Sequence, residues 1–187
     1  RAAGAGPVTL AACERYGTAQ QLAWGRELAP ALAPRAVVFL FSFDDTHPFA
    51  STLFTTLAVR LRARSALAAR VLRPASPQDA RLQELFDPEG IPWRLWATGT
   101  VPAVRAWKRE AGVRVLVAPW PPMRRGSEAM AEYFQQVRGE VLLAGLEFVD
   151  LRGVFGDDPA ALALPSGLPN AEAHRRVAAA LAAALQE

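Results

Sequence analysis

Two carboxylates and an imidazole stand side by side in Asp44-Asp45-Thr46-His47. A carboxylate beside a histidine is the raw material of acid–base chemistry: the carboxylate orients the ring and stabilises its charged form. Two carboxylates with one imidazole also supply part of the donor set that a zinc-like ion takes. The same residues have a plainer use. Carboxylate and hydroxyl side chains ahead of a helix accept hydrogen bonds from its first N–H groups, and here His47-Pro48 would lead into a helix near Phe49. A metal needs further ligands, and nothing near these residues in the sequence supplies them. No metal and no cofactor is therefore expected, and both the acid–base and the capping readings stay open.

Other chemistry-bearing residues are sparse. His174 is the only other histidine. It lies just inside a helical segment and reads as a partly exposed structural residue. Trp93, Trp96, Trp107 and Trp120 gather in one stretch; their faces could line a sugar-binding cleft or anchor the core. Arg124-Arg125 follows Pro121-Pro122 and could hold an acidic group or start a solvated helix. Ser42 and Ser166 do not sit in a strained turn after a strand, so neither has the setting of a nucleophile. Cys13 is the single cysteine. It rules out an internal disulfide and a thiolate metal cluster, and reads as a small core residue.

The elements that must position these groups follow from the apolar pattern. Pro7 to Cys13 is a short apolar run that fits a buried strand. Thr18 opens a helix with Leu22, Leu28 and Leu32 inward, stopped by Pro34. Ala36 to Phe43 is the clearest buried strand, a continuous apolar run bounded by Pro34 and Asp44-Asp45. A long helix is expected from Phe49 to Leu72. Residues 73–92, rich in proline, read as loop with one short helix near 78–86. Helix is expected over Val101–Ala111 and over Ser127–Ala144, the latter with Met130, Phe134, Val137 and Val141 on one side. Strands are expected over Val113–Ala118 and Leu146–Leu151. Asn170 is a good N-cap for a last helix from Ala171 to about Leu185, with Val177, Leu181 and Leu185 on its core stripe.

Strands that are apolar throughout, alternating with helices, indicate a parallel sheet covered on both faces. The expected architecture is a three-layer α/β/α sandwich with a mainly parallel sheet, forming one domain over residues 1–187. Ligands in such folds bind beyond the carboxyl ends of the strands. That directs attention to Glu14–Gly17, Phe43–His47, Pro119–Met123 and residues 152–170.

Composition bounds the function classes. Of the 187 residues, 51% are apolar and 21% charged, the balance of a globular domain. The apolar runs Ala36–Phe41 and Val177–Leu185 are far shorter than the roughly 20 residues that span a bilayer. The formal charge is +3, and Lys108 is the only lysine. This arginine bias with abundant alanine fits a GC-rich coding sequence. Arg60, Arg62, Arg64, Arg70 and Arg73 fit the solvated side of a helix, with anionic-surface binding or assembly as the sharper alternative. No concentrated basic face marks a nucleic-acid binder. The chain opens at Arg1 without a charged-then-apolar leader, which reads as a processed or excised piece.

Three strand ends carry a further signal. Glu14-Arg15-Tyr16-Gly17-Thr18-Ala19-Gln20-Gln21-Leu22 resembles a Gly-x-Gly-Thr-x-Gln block. Ala36-Val37-Val38-Phe39-Leu40-Phe41-Ser42-Phe43-Asp44-Asp45 resembles a strand that ends in Asn-Asp. Leu164-Pro165-Ser166-Gly167-Leu168-Pro169-Asn170-Ala171-Glu172-Ala173-His174 resembles Asp-x-x-His-Pro-Asn-x-x-Gly-His, with Asp150 in the place of a Val-Asp-Leu lead-in. In this order the blocks resemble those of the SGNH (GDSL-type) hydrolases, which include esterases and O-acyltransferases. The resemblance covers the whole chain. It implies a flavodoxin-like sandwich, whose serine-bearing first strand has no room before Pro7. It also tilts the expected location toward the outside of the bacterial cytoplasm.

The resemblance further implies acyl transfer by a serine, a histidine and an aspartate, with backbone N–H groups and an asparagine holding the oxyanion. This chain departs from that set at each point. It has no Gly-Asp-Ser. Arg15 aligns with the first glycine of the N–H-donating block, and Gly17 with the second. Asp44 replaces the asparagine, and a carboxylate has no donor to offer. Pro165 and Leu168 occupy the places of the acid and the base. The expectation is a catalytically degenerate domain that binds a glycan or a protein partner around Arg15, Gly17, Asp44, Asp45, His47 and Arg124. The alternative is an active ester hydrolase or O-acyltransferase with a serine outside this segment and an unconventional base, for which His47 is the candidate. A missing first strand would leave a sheet edge beside Ala36–Phe43, to be covered by another segment, an oligomeric partner or a changed strand order.

Overall fold

Val115, Leu116, Val117 and Ala118 are buried without a break, and they form the middle of the sheet. The computed structural model describes residues 8–9, 17–42, 87–120, 128–164 and 169–186. Within these the sheet has three parallel strands in the order β1 (Ala36–Phe41), β2 (Arg114–Pro119) and β3 (Glu147–Phe148). β1 pairs with β2 from Ala36 opposite Arg114 to Phe41 opposite Pro119, and β2 pairs with β3 at Leu116–Glu147 and Val117–Phe148. Of the expected buried strand at Pro7–Cys13 only residues 8–9 are described; they are not in a strand, and Val8 is 87% exposed. The long helix at 49–72 and the helix at 78–86 lie outside the described residues.

Side chains alternate between the two faces of a strand, and the core divides accordingly. On one face Phe39, Phe41, Val115 and Val117 pack with Leu22, Trp96, Trp107, Phe134 and Val141. These come from α1 (Thr18–Leu32), α3 (Val101–Ala111), α4 (Glu128–Leu143) and the turn preceding α3. On the other face Ala118, with Val38, Leu40 and Val149 half-buried beside it, packs with Leu151, Phe155, Leu162, Ala173 and Val177. The last two lie on α5 (Ala171–Ala184). The fold is thus α/β: a small, open parallel sheet with helices around it.

The expected helix at Val101–Ala111 is found with those bounds, and further helical structure precedes it. α2 (Ile91–Leu95) starts with Pro92 in its first turn, where a missing N–H is harmless. A π-helical turn, Trp96–Thr100, then joins it to α3. The buried positions run Trp93, Trp96, Val101, Val104 and Trp107. The step of five between Trp96 and Val101 breaks the 3.6-residue period, and the wider π-turn absorbs the extra residue. Pro102 fits this explanation, because its ring crowds the carbonyl four residues back and it has no N–H to donate.

Two inward assignments are corrected. In α1 the buried positions are Thr18 and Leu22, and Ala29 packs on the core. Leu32, at the helix end, is 47% exposed. In α5 Val177 is buried but Leu185, just past the last turn, is 38% exposed. Both residues stand at the end of their helix or just past it. Among the described residues the Ala36 strand has one neighbour, β2, and β2 has two. The third strand is shorter than Leu146–Leu151, its ladder covering Glu147–Phe148.

Polar bonds tie the helix ends to the sheet. Arg114 donates to both carboxylate oxygens of Glu147, at 3.1 and 2.6 Å, and to the Leu185 carbonyl at 3.2 Å. A cation at a helix C-terminus offsets the partial negative charge of its unpaired carbonyls. Lys108 donates to the Gly145 carbonyl at 2.7 Å, beyond the end of α4. Asn170 caps α5 as expected, accepting from the Ala173 N–H at 3.0 Å.

Candidate functional site

The carboxyl ends of the three strands bring Phe41, Trp120 and Asp150 to one end of the sheet. The Trp120 N–H donates to the Phe41 carbonyl at 2.8 Å, and the Val149 N–H to the Val117 carbonyl at 3.0 Å, so the strand ends are held in register.

Beyond β1 lies the start of α1. Gly17 is its N-cap, with the Gly17 N–H donating to Gln20 Oε1 at 3.1 Å and the Gly17 carbonyl accepting from Gln20 and Gln21. Half of a capping box is thereby built, since glycine has no side chain to supply the other half. Thr18 is buried and accepts a hydrogen bond from Trp96 Nε1 at 3.3 Å. The Trp96 ring lies 5.1 Å from Phe41 and 5.2 Å from Trp93, centre to centre. Gly17 is thus placed beside the end of β1 by a layer of buried aromatics.

Beyond β2, Trp120 is half-buried between Phe155, at 5.9 Å, and His174, at 5.2 Å. His174 is exposed, and its ring makes no hydrogen bond among the described residues. The Trp120 Nε1 atom is buried and finds no acceptor among them. The four tryptophans therefore divide. Trp93, Trp96 and Trp107 are core residues and cannot line an open cleft, whereas Trp120 belongs to the strand-end cluster.

Beyond β3, Asp150 accepts from the Arg152 side chain through both carboxylate oxygens, with Arg152 Nε 3.0 Å from each. Its Oδ1 also accepts from the Arg152 backbone N–H at 3.0 Å. The Arg152 hydrogen bonds hold the Asp150 carboxyl below the usual carboxylate range, against the opposing pull of partial burial. The Arg152 guanidinium also lies 5.2 Å from the centre of the Phe134 ring, within cation–π range. Sequence reasoning passed over Arg152. The signal available was its position two residues after a strand-ending carboxylate.

Of the residues singled out from sequence, Gly17, Asp150, His174 and Trp120 are brought to the strand ends. Arg15, Asp44, Asp45, His47, Arg124, Pro165 and Leu168 lie outside the described residues, as do Cys13, Ser166 and the arginines at 60–73. Among the described residues no three His, Cys, Asp or Glu side chains converge as a metal site would need, and no helix is long and apolar enough to cross a membrane. A groove of about 860 Å³ lies between α5 and the β2–β3 side of the sheet and reaches Asp150; Arg114, Leu116, Glu147, Val149, Ala180 and Ala184 also line it. Arg114 and Glu147 are committed to each other there, and Asp150 to Arg152.

What these strand ends can do chemically is limited by what their groups already do. The described carboxylate is neutralised by an arginine, the described asparagine caps a helix, and the described imidazole packs on an indole. The chain matches no protein-family model, no curated protein and no solved structure.

Proposed function

We propose that this chain is a catalytically degenerate SGNH-hydrolase-like domain with a binding or assembly role, taking a glycan or a protein partner at the carboxyl ends of its strands. The observation that carries this reading is the presence of Pro165 and Leu168 where the resemblance calls for an acid and a base. Neither can move a proton. Asp44 in place of an oxyanion-holding asparagine adds to it, since loss of one such donor costs about 2.7–4 kcal/mol of transition-state stabilisation. Asp150 does not restore the acid, because Arg152 occupies both of its oxygens.

The same reading takes the fold as a flavodoxin-like three-layer sandwich. Its support is a parallel sheet whose strands neighbour one another in chain order, with α1, α3 and α4 against one face and α5 against the other.

Incubation with p-nitrophenyl acetate and with a serine-directed phosphonate tests the catalytic half. Neither turnover nor labelling is expected. Turnover abolished by His47→Ala would overturn the proposal in favour of an ester hydrolase or O-acyltransferase. A glycan array, and pull-down with and without neutralisation of Arg60, Arg62 and Arg64, tests the binding half. Silence in both would remove the binding role.

A further inference from the structure

We draw no further inference here: the strongest candidate, the groove between α5 and the β2–β3 side of the sheet, is lined by charged groups that already have ion-pair partners, and nothing in the structure shows what covers it.

Discussion

Asp150 gives both of its carboxylate oxygens to Arg152, two residues further along the chain, and Arg152 in turn lies against the Phe134 ring. The pair closes the end of β3 and lowers the carboxyl's proton affinity. A folded value below the unfolded one of about 3.9 contributes stability that is complete above the unfolded value. That contribution is lost as pH falls through the folded value. Asp150→Asn should therefore flatten the acid limb of the stability curve below about pH 4. With the two side chains 41% and 36% exposed, the loss at neutral pH should stay under about 1 kcal/mol. Urea midpoints across the acid range check this; superimposable pH profiles would show that the pair contributes nothing.

Close helix packing makes the second prediction. A Cβ added at Gly25 of α1 would lie 3.2 Å from Trp107 Cη2 on α3. Alanine gains about 1 kcal/mol of helix propensity over glycine, which offsets a contact a few tenths of an ångström too tight. Gly25→Ala should thus be close to neutral. Gly25→Leu, which the indole cannot accommodate, should destabilise by about 1–3 kcal/mol. Chemical denaturation of both variants separates the effects, and a neutral leucine would contradict the packing.

Thr18 is the acceptor for a buried indole. Thr18→Val keeps the shape and removes the oxygen, leaving Trp96 Nε1 unpaired at a cost of about 1–3 kcal/mol. Adding Trp96→Phe removes the orphaned donor, so the two changes should be less than additive. A double-mutant cycle measures the coupling, and a value indistinguishable from zero would mean the 3.3 Å bond is not stabilising.

Asn170 begins α5 and thereby seats the helix that covers the second face of the sheet. Its side chain also donates to the Ala161 carbonyl at 3.3 Å. Asn170→Ala should cost about 1 kcal/mol, with Asn170→Asp retaining most of the cap. Thermal unfolding would register the difference. Faster amide exchange in the first turn of α5 should accompany the alanine variant alone.

Much of the scaffold was legible in the order of residues. The strands at Ala36 and Val113 are continuous apolar runs between breakers. The helices at Thr18 and Ala171 declare themselves by their termini: Pro34 stops the first, and Asn170 caps the second. The stretch at 91–100 was hidden because its π-turn shifts the apolar phase by a residue, and a period of 3.6 cannot be read across it. The candidate site was legible mainly as residue types at expected places. Most of those places fall outside the described residues, so Gly17, Trp120, Asp150 and His174 are what the structure adds to them.

By itself, residue order determined that strands and helices alternate and that the strands are buried, because those properties depend on each segment's own pattern of apolar side chains and breakers. It also determined that Pro165 and Leu168 carry no transferable proton. Only the tertiary structure decided that three tryptophans belong to the core while Trp120 stands at the strand ends against His174. It alone decided that Arg152 claims Asp150, and that Arg114 joins Glu147 to the end of α5. The Trp120–His174 and Arg114–α5 pairings rest on distances between groups far apart in the chain, which no local pattern of side chains encodes; the two-residue spacing of Asp150 and Arg152 is a local signal, and the turn of the loop decides whether the pair forms.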